Sequence, residues 1–591
     1  MALVSSLKSL ESWAGSPLTW KEGRFLYAAV VVLLPVLLTY ALTSVRAKWA
    51  KDVRSKGNPP PVPYAVPIVG NTFQFAYDTQ GFMSRTLRRF GSIPFRLKVG
   101  LEHMYYIPYG EPVQAMFKGA RELSMKPIII VAMRDQFGML PKDLAIFERD
   151  GSGDSAKPLE GWENTKPAHR VLFNQHRDLN AMLNGAHLEG LISRFTVYYT
   201  AQLRTTPLVG DEWTELPDLF AFLRDHMFHA VCTALLGERF HELCPEFARD
   251  FWDFDSHVLA FLRRTPRWMA SKKYAVRDRV LASMKKWHGY AREHVDYKDP
   301  SLADVEYEPV WGARLMRTRA EMFDNAGFSA DGCASMDLGF VWAGSANVIP
   351  ATVWVLLNSL LSQNLKDRVM AEMAECFDEA KDAFDLSVLC GKPLLNSVYL
   401  EALRHCVATT SARNPVVDNF KLLGWNMPRD SLMLSISWFG AHDPNFWNTG
   451  RILPNGKEEH PVSAYWAERF LEYPDDPASG PVRKSDKAIY QSSSAKMRER
   501  TIQDDKIAKL VSHSAALQGH FYPYGGGSRI CPGRHLAKQE MLIAVAVMMR
   551  EFEIELVDPV AAAKAKPDAT VFPTGAMVPD RKVPIRIRRR R

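Results

Sequence analysis

The most informative part of the chain is the run Phe521-Tyr522-Pro523-Tyr524-Gly525-Gly526-Gly527-Ser528-Arg529-Ile530-Cys531-Pro532-Gly533-Arg534. Three consecutive glycines let the backbone adopt positive φ and approach a flat ligand, with main-chain N–H groups directed at the sulfur. The following residues, 534–548, have helical composition, and the partial positive charge at a helix N-terminus favours an ionised thiol. The run therefore predicts a soft, anionic metal ligand at Cys531.

A buried structural cysteine beside a glycine-rich turn is the alternative for a single thiol of this kind. However, four residues in this order resemble the FxxGxRxCxG signature of the cytochrome P450 family: Gly527, Arg529, Cys531 and Gly533. Tyr524 stands in place of the usual phenylalanine. The resemblance implies a mainly α-helical fold with small β-sheets and a haem b whose iron is axially ligated by the Cys531 thiolate. It also implies that Tyr524 and Gly527 contact the haem and that Arg529 pairs with a propionate.

Two elements upstream extend the resemblance. Glu401-Ala402-Leu403-Arg404 is similar to the family's ExxR pair, and Trp466–Phe470 is similar to its PERF element, with Ala467 replacing proline. Alone, a Glu–Arg pair one helical turn apart is normally exposed and contributes about 0.3 kcal/mol. Three elements in the family's order argue against accidental agreement. The resemblance then implies that Glu401, Arg404 and Arg469 form a buried network beneath the haem.

Composition sets wide limits on the class of protein. The 591 residues, 47% hydrophobic and 24% charged, suffice for one large enzyme domain with appendages. The net charge of +8 is modest, and basic residues are not interleaved with stacking aromatics, which argues against nucleic-acid binding. Seven cysteines without CxxC spacing argue against a disulfide framework and a zinc site. We therefore expect a reducing compartment for the main domain.

The uncharged apolar run 25–45 has the length that crosses a hydrocarbon core of about 30 Å. A cleaved signal peptide is the alternative, but the run is longer than a typical signal core, and more basic residues follow it than precede it. The positive-inside rule then keeps the C-terminal part cytoplasmic. We expect a single-pass protein of the endoplasmic reticulum membrane, with residues 1–24 as a lumenal tail.

Organisation after this anchor is predicted from composition and periodicity. Residues 46–63 read as a basic and proline-rich linker, and residues 64–591 as the haem-thiolate catalytic domain, with a polar surface insertion at 474–519. The basic cluster 586–591 is expected to be a solvated tail, with contact to anionic lipid as the alternative. Periodicity predicts helices at 217–236, 335–361, 364–379 and 393–407, and strands at 420–425, 431–439 and 583–587.

The segment 340–354 is apolar almost throughout, which is typical of a plain core helix. Yet it carries Asn347, and Pro350 should open the hydrogen-bond ladder of the helix. In the cytochrome P450 family this helix carries AGx(D/E)T, whose acid and threonine deliver protons for the cleavage of O2. In this sequence Ala346 occupies the position of the acid, and Asn347 occupies the position of the threonine.

The pattern of 342–354 resembles the branch that holds cholesterol 7α-hydroxylases, other oxysterol and bile-acid hydroxylases, and prostacyclin synthase. Some of those relatives insert oxygen, whereas others rearrange a peroxide. An amide is not a strong acid, but Asn347 can hold a water in line with the reacting oxygen. We therefore predict Asn347 and Cys531 as the catalytic residues.

Further site positions follow from the same resemblance. Arg413 is predicted to meet a propionate, with an exposed loop arginine as the alternative. The family's WxxxR element is not clear, and Trp162 with Lys166, or His176 or Arg177, are its candidates. Three segments match parts that line family pockets and are candidate substrate contacts: 409–412, Trp342 and 574–577.

The resemblance implies a monooxygenase that hydroxylates or oxidises a lipophilic terpenoid, steroid or polyketide in specialised metabolism. It would use O2 and electrons from NADPH-cytochrome P450 reductase, to which Arg534, His535 and Lys538 present a basic face. One alternative is a haem-thiolate isomerase or dehydratase that acts on a peroxide without external electrons. Another is a non-catalytic haem sensor or carrier.

Overall fold

The computed structural model describes residues 20–52, 57–119, 121–485, 499–512 and 515–590. The predicted tail before residue 20 and the middle of the predicted insertion, 486–498, lie outside the described residues. The chain divides into two compact units. The smaller unit is Met1–Tyr106 with Gly424–Asn426, and the larger unit is Ile107–Leu423 with Met427–Arg591.

The smaller unit begins with the helix Trp20–Asp52, which contains the predicted anchor. Two shorter helices, Thr72–Tyr77 and Thr79–Phe90, precede an antiparallel hairpin of the strands Phe95–Val99 and Glu102–Tyr106. Among the side chains of this helix whose exposure is described, six valines and leucines are each at least 50% exposed, namely Val31, Leu33, Leu34, Leu37, Leu38 and Leu42. An apolar helix surface of this kind needs a covering partner or a lipid phase.

The larger unit is mainly helical. Its longer helices are Glu111–Lys118, Pro141–Arg149, Val171–Met182, Gly185–Thr205, Leu219–Leu236, Phe247–Ser256, Ser271–His294, Arg314–Ala326, Ala330–Ser345, Val348–Leu360, Gln363–Ala374, Pro393–Cys406 and Arg534–Glu551. Shorter α-helical segments are Lys126–Val131, Arg239–Leu243, Val258–Leu262, Leu386–Leu389, Ser437–Ala441, Ile502–Ile507 and Pro559–Ala562.

Small antiparallel sheets complete the larger unit. One sheet places Thr410–Pro415 between Leu432–Ile436 and Leu123–Ser124, and another places Ile585–Arg589 between Phe552–Leu556 and Thr214–Leu216. The remaining strand pairs are Gly575–Ala576 with Val407–Ala408, Leu471–Glu472 with Lys509–Leu510, Tyr307–Glu308 with Gly312–Ala313, and Phe377–Asp378 with Ala383–Phe384. The predicted mainly helical fold with small sheets is therefore confirmed.

Side-chain caps mark where several helices begin. The carboxylate of Asp218 accepts a hydrogen bond from the Phe220 N–H, and the hydroxyl of Ser362 accepts one from the Leu365 N–H. Pro393 occupies the first turn of its helix, where a missing N–H carries no cost. These local signals explain why helix starts were predictable to within a few residues.

The apolar helix predicted over 335–361 is in fact two helices, Ala330–Ser345 and Val348–Leu360. Pro350 offers no N–H to the carbonyl of Ala346, and its ring crowds that carbonyl. The helix is accordingly interrupted at Ala346 and Asn347, one turn before the proline. The interruption places the Asn347 amide at a break in the core helix.

Two stretches of the described chain are long and apolar enough to cross a membrane, namely Leu219–Leu236 and Ala330–Leu360. In each, 72% of the most apolar window is buried inside the protein. Such burial is typical of the central helices of a large globular core.

Other predicted boundaries were wrong by a few residues. The helix predicted to reach residue 379 ends at Ala374, because Phe377–Asp378 turns back to pair with Ala383–Phe384. The strand predicted to reach residue 439 ends at Ile436, where the short helix Ser437–Ala441 begins.

The prediction of a solvated basic tail at 586–591 is wrong for residues 586–589, which belong to a strand. Ile585–Arg589 is a strand of a sheet, and Arg586 and Arg588 form ion pairs with Glu555 and Glu553 of the neighbouring strand. Opposite charges face each other across the two strands, which stabilises their pairing.

Both described ends of the predicted insertion 474–519 are built into the fold. Arg368, on the helix Gln363–Ala374, donates hydrogen bonds of 2.8 and 2.6 Å to the two carboxylate oxygens of Asp505. The two side chains are buried, and Arg368 also pairs with Glu468 at 2.7 Å. This bidentate pair fastens the helix Ile502–Ile507 to the helical core.

Removal of the charge of Asp505 should destabilise the protein. In Asp505→Asn the side-chain shape is kept, but the buried Arg368 guanidinium loses its bidentate counter-ion, which costs about 3 kcal/mol. We expect a matching fall in the free energy of unfolding, measured by urea denaturation and circular dichroism. The control is Asp475→Asn, at an acid whose side chain is 50% exposed. Equal, small effects of both variants would contradict this role of the pair.

Candidate ligand site around Cys531

Cys531 lies at the end of a closed loop, just before the helix Arg534–Glu551. Its N–H donates a 3.0 Å hydrogen bond to the carbonyl oxygen of Tyr524, and a short 3-10 turn, Gly527–Arg529, lies between them. The half-buried thiol is therefore held at a fixed position near the N-terminus of a long core helix.

The glycines of this loop are required by a neighbouring aromatic residue. Gly527 has φ of +71°, and a Cβ there would lie 2.3 Å from the carbonyl oxygen of Phe117. A Cβ on Gly526 would lie 2.3 Å from the Phe117 ring. Phe117 therefore fills the side of Gly526 and Gly527 on which a Cβ would project, a contact that the sequence argument did not foresee. Phe117 belongs to the helix Glu111–Lys118, a partner that no local pattern indicates.

The electrostatics around the thiol favour a metal ligand over a free thiolate. Burial raises the pKa of the Cys531 thiol, while the N–H of Gly533 and the charge of Arg534 oppose this increase. A stable thiolate therefore needs a further positive charge, which a bound iron ion supplies directly. A soft sulfur donor in this setting fits a haem iron.

Arg413 is a buried cation beside the loop, only 6% exposed. Among the described residues its guanidinium donates only to the carbonyls of Ala412 and Gly526, at 2.8 and 3.2 Å. Burial, assisted by repulsion from Arg529, lowers the pKa of Arg413 to about 10 although Asp154 attracts it. A buried guanidinium without a carboxylate partner costs free energy until an anion approaches. The alternative, an exposed loop arginine, is therefore wrong, because the Arg413 side chain is buried.

Arg529 lies close to Arg413 but already has an acidic partner. Its guanidinium donates to the carbonyl of Asp154 and lies 3.4 Å from the Asp154 carboxylate. That carboxylate also accepts hydrogen bonds from the Ser124 hydroxyl and the Met125 N–H. One fixed acid thus faces two arginines, so the cluster keeps a net positive charge.

The structure separates the candidates for the WxxxR element. Trp162 and Lys166 are exposed, and Arg177 is exposed and paired with Asp178. His176 is the candidate that the structure brings to the Cys531 loop. Burial and repulsion from Arg529 lower the pKa of His176, while a backbone hydrogen bond involving Ile530 raises it. We call Arg413, Arg529 and His176, with Asp154, the arginine cluster.

Arg170 is a buried residue that sequence reasoning missed. It donates to the carbonyls of Ser155 and Ala156 and to the hydroxyl of Ser152, and so holds the loop that carries Asp154. No sequence pattern distinguishes this arginine from the exposed charged residues that precede it. Its structural role becomes visible only in the fold, where it contacts the loop 152–156.

The phenol of Tyr524 has a partner within the protein. Its oxygen lies 2.7 Å from the hydroxyl oxygen of Tyr399, on the helix Pro393–Cys406. Burial raises the pKa of both phenols well above the ordinary value, so both stay protonated. The hydroxyl group that distinguishes Tyr524 from phenylalanine therefore has a hydrogen-bond partner inside the protein, and the aromatic ring at this position is retained.

Glu401, Arg404 and Arg469 form the buried network that the resemblance implies. The Glu401 carboxylate accepts bonds of 2.7 and 2.8 Å from Arg404 and lies 3.1 Å from Nε of Arg469, and all three side chains are fully buried. Although burial favours the neutral acid, the two guanidinium groups hold the pKa of Glu401 below its usual value. Arg404 also donates to the carbonyls of Ala441, Val462 and Ala464, which ties the long loop after Ala441 to this helix.

Asn347 is connected to the Cys531 loop through successive contacts. Its Oδ1 accepts a 3.0 Å hydrogen bond from the N–H of Ala576, whose strand pairs with Val407–Ala408. The adjoining Thr409 hydroxyl donates to the carbonyl of Pro523 at 2.8 Å. These contacts also bring the candidate substrate segments 409–412 and 574–577 together.

The amide of Asn347 is oriented by these contacts. Because Oδ1 is occupied, its Nδ2 is left without a hydrogen bond to any described residue. A Cβ on Gly575 would lie 1.9 Å from Oδ1, so only glycine fits beside it. One turn earlier, Ala343 is exposed, and a Cβ on Gly344 would meet nothing within 4 Å. This face of the helix is open to a ligand.

Comparisons with known proteins agree with this geometry. The family model described as Cytochrome P450 matches residues 164–450 and 511–577. The chain is 33% identical to "Cytochrome P450 monooxygenase fsoE" of Humicola fuscoatra over 95% of both chains. It is 22% identical to "Cytochrome P450 7A1" of Oryctolagus cuniculus, over 85% of this chain and 88% of the other. The solved structure "Retinoic acid bound cyanobacterial CYP120A1" is 16% identical with a TM-score of 0.60, and covers 91% of this chain and 100% of that one. At this identity, the solved structure supports the fold alone.

Substitution of Gly527 should disturb the loop that holds the thiol. In Gly527→Ala the new Cβ meets the Phe117 carbonyl oxygen and the positive φ is strained, at a combined cost of about 3 kcal/mol. We expect a lower haem-to-protein ratio in purified material and a lower unfolding midpoint.

The matched control is Gly289→Ala, in the helix Ser271–His294, where a new Cβ meets nothing within 4 Å. That variant should keep the wild-type haem content and stability, since alanine is the better helix former. Wild-type haem content and stability in Gly527→Ala would contradict the role of the Phe117 contact.

Proposed function

Because this chain belongs to the cytochrome P450 family, we propose that it hydroxylates or further oxidises a lipophilic small molecule of the terpenoid, steroid or polyketide class in specialised metabolism. Several curated relatives are cytochrome P450 monooxygenases, and the chain is one. The similarity to cytochrome P450 7A1 confirms a distant relation to the cholesterol 7α-hydroxylases. Electrons would come from NADPH-cytochrome P450 reductase, and O2 would be the oxidant.

The observation that carries the proposal is that a fixed thiol and the arginine cluster, which has a net positive charge, lie at the same loop. Family and fold imply a haem with a cysteine-thiolate ligand. Cys531 would hold the iron, and Arg413 with Arg529 would bind propionate, while Tyr524 and Gly527 would contact the haem. When bound, the haem supplies the O2 chemistry. Arg413 fits a propionate because, among the described residues, its buried guanidinium donates to main-chain carbonyls and to no carboxylate.

Asn347 would hold the water that delivers protons. Its Oδ1 is held by the N–H of Ala576, so its Nδ2 can donate to a water on the open face of the helix. Because neither Ala346 nor Asn347 is acidic, protons would have to travel through water to the reacting oxygen. This arrangement permits oxygen insertion.

The absence of an acid at Ala346 and of an alcohol at Asn347 is also compatible with one competing reaction. An isomerase or dehydratase that rearranges a peroxide needs no delivered protons, which would suit a helix that lacks the acid and alcohol of the wider family. The relatives named as monooxygenases favour oxygen insertion. A non-catalytic sensor or carrier has no support among them.

The helix Trp20–Asp52 supports a membrane location. Its exposed leucines would face lipid, with the linker 46–63 leading to a cytoplasmic catalytic domain, 64–591, at the endoplasmic reticulum membrane. The proposed basic docking face is partly committed to internal bonds. Arg534 donates to the carbonyl of Cys531, and Lys538 donates to that of Cys390. The side chain of His535, between them in the sequence, is exposed.

The reaction is tested with isotopically labelled oxygen. The purified full chain and a reductase are incubated with a lipophilic extract under ¹⁸O₂, with and without NADPH, and products are followed by mass spectrometry. A monooxygenase yields product that contains ¹⁸O only with NADPH. Unlabelled product that forms equally without NADPH would contradict oxygen insertion and identify the peroxide reaction.

The role of Asn347 is tested by the coupling of NADPH use to product. In Asn347→Leu the amide is lost, so a water is no longer held, and we expect about tenfold less product per NADPH with more released hydrogen peroxide. The control is Asn364→Leu, in the first turn of the helix Gln363–Ala374, which should keep normal coupling. Unchanged coupling in Asn347→Leu would show that proton delivery does not depend on this amide.

A further inference from the structure

Asp255 is an acidic side chain that lies against the helix Ala330–Ser345, close to where that helix breaks at Ala346 and Asn347. It sits near the end of the helix Phe247–Ser256, and its Oδ1 accepts a 2.8 Å hydrogen bond from the indole N–H of Trp342. Trp342 directly precedes the exposed Ala343, so Asp255 contacts this helix one residue away from its open face.

The surroundings of Asp255 are aromatic. The Phe137 ring lies 5.9 Å from the Trp342 ring and 6.3 Å from the ring of Phe254, which is fully buried. In the part of the chain that the structure describes, no basic residue pairs with Asp255, and its Oδ2 receives no hydrogen bond. One carboxylate oxygen is thus committed to Trp342, and the other is left as an acceptor.

The Trp342 hydrogen bond alone does not account for a carboxylate at this position. Four other indole N–H groups, which are buried, donate to main-chain carbonyls instead, namely those of Trp287, Trp311, Trp354 and Trp447. A neutral oxygen therefore suffices for an indole in this protein. Burial raises the pKa of Asp255 to about 6, and the hydrogen bond from Trp342 opposes this increase only in part. Keeping the ionised acid at this position therefore costs free energy.

We propose that Asp255 is a specificity-determining residue whose Oδ2 accepts a hydrogen bond from a hydroxyl group of the substrate, so that the substrate is a lipophilic alcohol. Trp342 and Phe137 form the flat apolar wall beside that hydroxyl group. This inference rests on the proposed function, because it places the alcohol on the face that leads to Asn347. An apolar site with one well-placed polar group is the usual means of orienting a lipophilic ligand.

The test uses an isosteric change. Asp255→Asn keeps Oδ1 for the Trp342 N–H but presents an NH₂ group in place of the free oxygen, so the acceptor is lost while the fold is kept. The matched control is Asp253→Asn on the same helix, whose side chain is 47% exposed and forms only loose ion pairs with His257 and Arg279 at 3.5 and 3.9 Å.

Binding is measured by equilibrium dialysis of the full-length haem-loaded protein in detergent micelles, without NADPH. The probes are cholesterol and lupeol, each compared with its methyl ether and with the hydrocarbon that lacks the oxygen. The wild type should bind an alcohol about 10- to 100-fold more tightly than its ether, as expected for a hydrogen bond to a charged acceptor. In Asp255→Asn this ratio should fall to about one, and Asp253→Asn should keep it.

Three results would overturn the inference: equal binding of alcohol and ether by the wild type, no binding of any probe, or an unchanged ratio in Asp255→Asn. The outcome is separable from that of the proposed function. A ratio that collapses in Asp255→Asn while ¹⁸O₂ incorporation fails would leave the alcohol site in place and reject only the monooxygenase reaction.

Discussion

The placement of one thiol at the start of a core helix is the constraint on which the rest of the structure depends. The Cys531 N–H closes a loop onto the Tyr524 carbonyl, and Phe117 fills the space that only glycine leaves at 526 and 527. Burial raises the pKa of the Cys531 thiol, so the sulfur stays protonated unless a metal cation binds to it. The loop fixes the position of the sulfur, and a bound metal would stabilise its thiolate form.

Charge balance separates structural from functional ionisable groups in this fold. Glu401 is fully compensated by Arg404 and Arg469, and Asp505 by Arg368, and both acids lie where helices and loops are joined. Arg413 and Asp255, in contrast, form no hydrogen bond with an oppositely charged side chain among the described residues. Such groups are enriched at sites where a ligand compensates them. We have accordingly linked Arg413 to an anionic group and Asp255 to a hydrogen-bond donor.

Sequence reasoning succeeded where the information was local. The run before Cys531, the one-turn spacing of Glu401 and Arg404, and the disruptive effect of Pro350 all act within a few residues, and each led to the correct local structure. It failed where contacts join remote segments. Asp154 meets Arg529 across 375 residues, and Tyr399 meets Tyr524 across 125. No periodicity indicates such partners, and none indicates that Phe117 packs against Gly526 and Gly527.

The central claim is that the Cys531 thiolate ligates a haem iron, and the absorption of the ferrous–CO adduct tests it most directly. For correctly folded wild-type protein the account predicts a Soret maximum at about 450 nm, typical of thiolate coordination, which is lost in Cys531→Ser. Cys244→Ser, at a buried cysteine outside the loop, should keep it. A maximum at about 420 nm in the folded wild type, as for a neutral donor, would contradict the account.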